Sequence, residues 1–266
     1  MKKNPRKALG QHFITNPDIL NRIIGCIAPQ KNDLIIEIGA GKGSLTFLLA
    51  EKAGQVIALE KDASLVPYLE KNKPPNLEIR QEDVLKIDFN EIAKPGITKL
   101  AGNLPYSISS QILFKVLEEQ DLINECHFML QKEVAQRVCA SPGSKKYAPL
   151  SILLQNSFAT KIQFLLSPGS FVPPPKVKSA LVTLKKRPIP IHSLLKTKPF
   201  KSFIKKAFSQ RRKKLKNNLK AMGFTPEQIK QSFQECSLNP HIRAEKISIN
   251  DFAALYLSLM KHKNET

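Results

Sequence analysis

LIIEIGAGKG, residues 34–43, decides the fold. An apolar run, interrupted only by Glu37, ends in glycines at positions 39, 41 and 43. A strand covered by helices on both faces has no wet side to alternate toward, so it reads as a near-continuous apolar stretch. The glycines let the backbone approach a ligand closely. The segment that follows, SLTFLLAEKA (44–53), carries Leu45, Leu48 and Leu49 at helical spacing. A helix starting there offers unpaired N–H groups to whatever the glycines approach.

The pattern repeats outward. QVIALE (55–60), LEIRQED (77–83), ITKLAGN (97–103) and CHFMLQ (126–131) are further strand candidates. QILFKVLEE (111–119) and KEVAQRVCA (132–140) have helical periodicity. Strands alternating with helices specify a doubly wound α/β sheet. SPGSKKYAP (141–149) is a turn-rich loop, and KIQFLL (161–166) and SALVTL (179–184) are strands bridged by SPGSFVPPPKVK. The proline-marked KRPIPI ends the α/β part near Arg187, dividing the chain into residues 1–187 and 188–266. A helical tail follows. Phe200, Phe203, Ile204, Ala207 and Phe208 recur at three- and four-residue steps, with Leu215 and Leu219 beyond, and read as core rather than as base-stacking platforms. TPEQ (225–228) has the form of a capping box, and DFAALYLSLM (251–260) closes the chain as a further helix.

Charge is the most informative bulk property. The 266 residues carry a formal net charge of +20, and it is not spread evenly. Residues 1–133 hold 17 basic and 17 acidic side chains, and residues 227–266 hold 5 of each. Residues 134–226 hold 20 basic side chains and no acid. A solvated face normally mixes signs, because like charges oppose compaction. An acid-free stretch of this kind points to an anionic polymer, most simply nucleic acid. Hydrophobic residues at 42% support a real core, and no apolar run reaches membrane-spanning length. MKKNPRKALGQHF is basic but lacks an apolar signal core, so no secretory peptide is read and a cytoplasmic protein is expected. Cys26, Cys126, Cys139 and Cys236 have no CxxC spacing and the histidines are dispersed, which suits a reducing compartment and gives metal dependence no support.

The glycine turn admits three ligands. A P-loop fails, because position 36 is Ile and Gly43 follows Lys42. The dinucleotide fingerprint matches at Gly39 and Gly41 but has Ser44 in its last place. The third ligand is S-adenosylmethionine, whose ammonium suits Glu37. Glu60 closes the second strand, where an acid can accept ribose hydroxyls, and Asp83 closes the third, where a carboxylate can accept an adenine amino group. Two acids on consecutive strands after a glycine loop point to an adenosine site.

Asn103-Leu104-Pro105-Tyr106 ends the fourth strand on the same sheet edge. Methyl transfer to an exocyclic amine requires a nitrogen lone pair that the ring delocalises. Two acceptors gripping both N–H bonds draw that nitrogen toward tetrahedral geometry. The Asn103 side-chain oxygen and the Leu104 carbonyl can be those acceptors, Pro105 fixes the chain, and Tyr106 offers a flat face to an extruded base. Positioning and hydrogen bonding then carry the rate, without a strong base or a metal.

The chain resembles the ribosomal RNA adenine dimethyltransferase family, bacterial small-subunit type. The likeness rests on eight blocks in order: LGQHFI (9–14), EIGAGKGSLT (37–46), Glu60, ED (82–83), GNLPYSIS (102–109), FMLQKEVAQRV (128–138), SFVPPPKVKSALV (170–182) and AFSQRRKKLKNNL (207–219). It implies a Rossmann-like methyltransferase domain followed by a small all-helical, basic rRNA-binding domain. It implies that His12 and Ile14 contact the cofactor, with Gly39 at its methionyl part, Glu60 at the ribose, Asp83 at the adenine and Asn103 between donor and target. Phe171 is then expected to stack on the base opposite Tyr106. Lys145, Lys146 and Tyr147, in a loop expected beside the target entrance, and Arg211, Arg212, Lys213 and Lys214 are expected on RNA. The implied product is N6,N6-dimethyladenosine at two adjacent adenines in a hairpin loop near the 3′ end of small-subunit rRNA. The implied partner is an assembling 30S particle, approached by a monomer without membrane or metal. GAG in place of the usual GPG, Ala148 for a common Gly, and His12 for a frequent Asn are departures that remove no chemical group. Two other readings stand beside it: a large-subunit rRNA methyltransferase of the macrolide-resistance type, and a non-enzymatic ribosome assembly factor on the same fold.

Overall fold

Parallel pairing of five strands builds the sheet in the computed structural model, which describes residues 12–264. Leu9, Gly10 and Gln11 of the LGQHFI block lie outside the described residues. A short antiparallel pair, β1 (Phe13–Ile14) with β8 (Phe171–Val172), stands apart from the main sheet. The main sheet holds β2 (Leu34–Ile38), β3 (Gln55–Leu59), β4 (Leu77–Arg80), β5 (Thr98–Asn103), β6 (Glu125–Gln131), β7 (Phe158–Leu166) and β9 (Ser179–Lys186). Its order is β4-β3-β2-β5-β6-β9-β7. The first five run parallel, and β9 returns antiparallel to β6. The α/β reading of the sequence therefore holds, with strands where the apolar runs stand.

Two compact units divide the chain. One extends to Ala135 and resumes at Ala159–Lys186; the other is Gln136–Phe158 together with Arg187 onward. The sequence boundary at Arg187 leaves residues 136–158 with the sheet, whereas the structure groups them with the helices. Hydrogen bonds give the reason. Gly143 N–H donates to the Glu245 carbonyl at 2.7 Å, Arg187 N–H to Ser157 at 2.8 Å and Ile191 N–H to Asn156 at 3.0 Å. No local pattern marks partners so distant in sequence.

In the sheet unit, α1 (Pro17–Ile27) and α2 (Thr46–Lys52) cover one face. Ile23, Ile24 and Ile27 of α1 and Leu49 of α2 pack with Ile35, Val56, Ala58 and Ala101 from the strands. Each fully buried aliphatic side chain of this kind stabilises by roughly 1.5–3 kcal/mol. The sequence reading passes over α1, although its start is marked: Asn16 Oδ1 accepts from the N–H of Asp18 at 2.9 Å and of Ile19 at 3.2 Å, with Pro17 at the first helical position. The unit is completed by α3 (Val66–Glu70) and α4 (Ser109–Glu118), and α5 (Lys132–Val138) crosses into the second.

The second unit is helical: α6 (Pro149–Ser157), α7 (Lys198–Ala207), α8 (Leu215–Ala221), α9 (Pro226–Glu235) and α10 (Ile249–Asn264). Phe200 and Phe203 of α7 pack on Tyr256 of α10 with ring centroids 5.0 and 5.2 Å apart, so these phenylalanines are core. The stretch from Phe200 to Leu219 is not one helix. It breaks after Ala207, whose carbonyl accepts from Asn218 Nδ2 at 2.6 Å. Arg211–Lys214 thus sits in a turn, where four adjacent cations are spaced by an irregular backbone. Among the described residues no helix is long and apolar enough to cross a membrane.

One contact sets how closely β5 lies against β2. A Cβ added at Gly102 would stand 2.4 Å from the Ile38 carbonyl oxygen. Backbone cannot yield as a flexible side chain can. Gly102→Ala is therefore expected to destabilise the protein by about 1–3 kcal/mol through overpacking, measured as a lower midpoint in chemical denaturation. An unchanged midpoint would show that the two strands separate freely here.

Candidate active site

In the sheet unit the strand order reverses between β3 and β5, the two neighbours of β2. Crossovers leave a crevice at such a point, outside the carboxyl ends of the strands. A cavity with an open mouth occupies it. Its walls include His12, Ile14, Gly39, Glu60, Asp83 and Asn103, together with Leu104, Pro105 and Tyr106. The structure therefore brings together every cofactor-site residue expected from the sequence, and four of the five expected at the reacting centre.

The glycine turn is held against the end of β3. Gly39 N–H donates to the Leu59 carbonyl at 2.8 Å, and φ of +75° at Gly39 and +61° at Gly41 places both in left-handed conformations that glycine adopts without strain. Glu60 clamps the same turn. Its Oε2 accepts from Gly41 N–H at 2.8 Å and its Oε1 from Asp62 N–H at 2.8 Å. Asp83 is held from two sides: Lys61 Nζ lies 2.8 Å from Oδ2, and Leu85 N–H donates to Oδ1 at 3.1 Å. The Lys61 hydrogen bond is the main cause that keeps the Asp83 carboxyl below its usual range, against a smaller opposing effect of burial. Lys61 carries no motif signal in the sequence.

Asn103 closes β5 opposite the glycine turn. A Cβ placed on Gly39 would meet the Asn103 carbonyl oxygen at 3.9 Å, so the two segments are in contact range. The Asn103 side chain donates from Nδ2 to the His12 carbonyl. A carbonyl only accepts, so the amide orientation is fixed and Oδ1 is the end left to accept elsewhere. His12 is fixed in turn: its Nδ1 lies 2.7 Å from the Pro173 carbonyl and so carries the proton. Leu104 N–H donates to the Met129 carbonyl at 3.3 Å, and Ile108 N–H closes the turn on the Pro105 carbonyl at 3.1 Å. Tyr106 Oη meets Ser179 Oγ at 2.5 Å, which anchors the ring by its far end. Burial raises the Tyr106 phenol above its usual range, partly offset by Ser179.

Phe171 is placed differently from the other four residues expected at the reacting centre. It is 2% exposed, packed in the core cluster, and does not line the cavity. Strand alternation explains it: β8 pairs Phe171 with Ile14 and turns it inward, while Val172 faces solvent. The ring beside Tyr106 is that of His12, with centroids 5.6 Å apart. A base between two rings needs about 7 Å, two contact layers of about 3.5 Å.

Glu37 completes the cavity. It is 2% exposed, and its Oε2 has no hydrogen-bond partner. Burial pushes its carboxyl up to about 8, and the Glu60 carboxylate adds to the shift. The Thr46 hydroxyl opposes it, although neither Glu37 Oε2 nor Thr46 Oγ1 has a partner at bonding geometry. Among the described residues no group of three or more His, Cys, Asp and Glu is arranged to hold a metal.

The second unit carries the basic residues expected on RNA. Lys145, Lys146, Arg212, Lys213 and Lys214 are exposed. Arg211 also reaches solvent, but its Nη2 donates to the Lys145 and Tyr147 carbonyls at 2.7 and 2.9 Å and so ties the loop to the basic turn. Lys214 Nζ donates to His241 Nδ1 at 2.7 Å. Tyr147 is fully buried, so the expectation that it touches RNA fails. Its ring packs edge-on against Phe208, and burial pushes its phenol up to about 12.

A switch-point cavity that sets carboxylates on one wall and a fixed amide acceptor on the other belongs to the Rossmann-like methyltransferases. Comparison with known proteins narrows this. The model of the ribosomal RNA adenine dimethylase family matches residues 2–261, and the chain belongs to that family. It is 42% identical over 254 residues to the ribosomal RNA small subunit methyltransferase A of Xylella fastidiosa, covering 94% of each chain. The Herminiimonas arsenicoxydans protein of the same name is 42% identical over 260 residues, covering 96% of this chain and 98% of that one. A dimethyladenosine transferase from Plasmodium falciparum superposes with a TM-score of 0.77 at 28% identity, over 95% of this chain and 98% of that one. The 23S rRNA methyltransferase ErmE shares the fold, with a TM-score of 0.74 at 22% identity, over 93% and 99%.

The Glu37 environment has a stability consequence. Its folded value of about 8 lies above its ordinary 4.5, so the folded state favours the neutral acid. The resulting penalty is absent below about pH 4.5, grows as pH rises, and levels off above about pH 8. Glu37→Gln is accordingly expected to melt several degrees above the unsubstituted protein at pH 8.5 and level with it at pH 4. Equal melting curves at both pH values would place Glu37 in contact with water.

Proposed function

We propose that this enzyme transfers methyl groups from S-adenosylmethionine to adenine N6 in small-subunit rRNA, twice per base, at two adjacent adenines of the 3′-terminal hairpin loop. The observation that carries the reading is the Asn103 amide, oriented by His12 and opening its oxygen to the cavity that Gly39, Glu60 and Asp83 also line.

The residues present fit the cofactor. Glu60, already ordered by two backbone N–H groups, retains lone pairs for ribose hydroxyls. Asp83 faces the adenine end. Gly39 presents backbone to the methionyl end, with His12 and Ile14 over it. S-Adenosylmethionine supplies an electrophilic methyl group on a positively charged sulfur. Asn103 Oδ1 and the Leu104 carbonyl hold the two N–H bonds of the target amine, and Pro105 keeps both acceptors aimed one way. The Tyr106 ring, pinned by Ser179, gives the extruded base one stacking face. Rate enhancement then comes from orientation and from acceptors that strengthen as charge develops on nitrogen.

The basic turn Arg211–Lys214 and the loop bearing Lys145 and Lys146 supply phosphate contacts, which position RNA without reading its sequence. Arg211 acts there chiefly by holding the loop. The enzyme works in the cytoplasm, as a monomer on an assembling 30S particle. Relatives at about 40% identity carry the small-subunit name, which favours this substrate over the large-subunit rRNA of ErmE, a protein alike in fold alone. Retention of Glu60, Asp83 and the Asn103 turn in one cavity favours an enzyme over a non-catalytic assembly factor.

Incubation with labelled S-adenosylmethionine and undermethylated small subunits, followed by digestion, should yield N6,N6-dimethyladenosine. Label in any other nucleoside, or in large-subunit RNA alone, refutes the assignment. Asn103→Ala should lower turnover by about 10²–10³-fold, the scale of a lost transition-state hydrogen bond, with cofactor affinity little changed. RNA affinity should fall with salt, at a log–log slope of about −0.7 to −0.9 per phosphate contact, and Lys213→Ala with Lys214→Ala should flatten that slope. A salt-insensitive interaction would remove the phosphate reading.

A further inference from the structure

Two of the carboxylates that line the cavity, Glu37 and Glu60, differ in their surroundings. Glu60 has both oxygens on backbone N–H groups. Glu37 is buried to the same degree, yet its Oε2 meets no donor. An ionised carboxylate in that position would lack compensation. Its register partners on β3 and β5 are Ala58 and Ala101, which bring no charge. Helix α1 adds Leu20 and Ile23 to the cavity wall, Leu45 just before α2 adds another apolar side chain, and the Thr46 hydroxyl at the start of α2 acts on Glu37.

The titratable groups on the remaining walls are His12, Lys42, Glu60, Lys61, Glu82, Asp83 and Tyr106. The two lysines are engaged elsewhere: Lys61 pairs with Asp83 at 2.8 Å, and Lys42 Nζ lies 5.2 Å from the Tyr68 ring centroid. His12 is bound to the Pro173 carbonyl. The charge that acts on Glu37 is the negative one of Glu60. A neutral Glu37 therefore suits the empty cavity, and an ionised Glu37 suits a cavity that holds a cation.

We infer that Glu37 is a proton-coupled counter-charge, neutral in the ligand-free enzyme and ionised when the cationic end of the methyl donor enters, so that donor binding expels a proton. This rests on the cofactor reading above and adds a specificity device to it. The balance is simple: the Glu37 O–H bond breaks, the proton passes to buffer, and the carboxylate is left facing the ligand's positive charge. An uncharged nucleoside gives no reason to ionise Glu37. The cavity thus separates the cationic donor from plain adenosine by charge as well as by shape. The raised Glu37 value agrees with this, since a group that titrates near 8 is mostly protonated at neutral pH.

Titration calorimetry at pH 6.8, in buffers of different ionisation enthalpy, counts the protons released. The full-length protein should release close to one proton per S-adenosylmethionine bound and none with adenosine. Its dissociation constant for S-adenosylmethionine should fall about tenfold per pH unit between pH 6 and 7.5, while that for adenosine stays flat. Glu37→Gln should release no proton with either ligand, lose the pH dependence, and bind the donor at least tenfold more weakly at pH 8, with adenosine affinity unchanged. That last measurement confirms that the variant keeps its adenosine site. Donor binding without proton release, or release that persists in Glu37→Gln, overturns the inference and leaves the cofactor reading intact. Failure of both ligands to bind overturns the cofactor reading itself.

Discussion

The close approach of β5 to β2 is the constraint on which the rest depends. These strands are distant in sequence, yet Leu34 pairs with Thr98 and Glu37 with Ala101 in one parallel register. Their proximity requires Gly102, because the Ile38 carbonyl occupies the space where a Cβ would go. From that contact the functional geometry follows. β2 becomes the strand at which the chain's order reverses, so a crevice opens beyond its end. Gly39 and Asn103 emerge side by side from two strands held at backbone distance. On the function proposed above, a donor on the glycine turn and a base at Asn103 would be neighbours.

Within the crevice, what distinguishes the acids is how each is satisfied. Glu60 is tied by two N–H groups. Asp83 is tied by an ion pair whose lysine is 63% exposed, so its restraint is screened and readily exchanged. Glu37 has no donor at all on Oε2. The three differ in how fully they are satisfied, from Glu60 through Asp83 to Glu37. A cationic donor and a neutral base are different electrostatic guests. The cavity places acids at the β2, β3 and β4 ends and an uncharged amide at the β5 end, which suits the two guests proposed above.

Much of this was legible in the residues. Apolar runs ending in Gly39, Glu60, Asp83 and Asn103 named the strands and their functional ends, because burial on both faces and chemistry at the carboxyl edge leave separate marks. Local caps were legible too, and Thr225 with Gln228 forms the capping box that TPEQ announces. What escaped depends on contacts between distant residues. Helix α1 carries a clear Asn16 cap but no motif. Phe171 sits in a proline-rich segment that suggests an exposed loop, and only its pairing with Ile14 turns it inward. Tyr147 lies between lysines and prolines, yet it is drawn into the core beside Phe208. The segment 136–158 joins the helical unit through hydrogen bonds to residues near 190, 211 and 245, which no window along the sequence contains.

The same long-range logic explains the acid-free stretch. Twenty cations without one acid would repel one another on a regular helix face. The chain instead distributes them over strands, a loop, a turn and short helices. It also anchors some of them without acids: Arg211 on two carbonyls, Lys146 on Gln136, and Lys214 on a histidine nitrogen. Partners of this kind remove no charge. They restrain the side chains and order the backbone while leaving the full positive potential facing outward, which an aspartate or glutamate partner would cancel. A surface selected only for solubility gains nothing from that choice, whereas a surface that must attract a polyanion does. Acids thus line the cavity and are missing from residues 134–226, as the proposed cationic donor and polyanionic RNA would require.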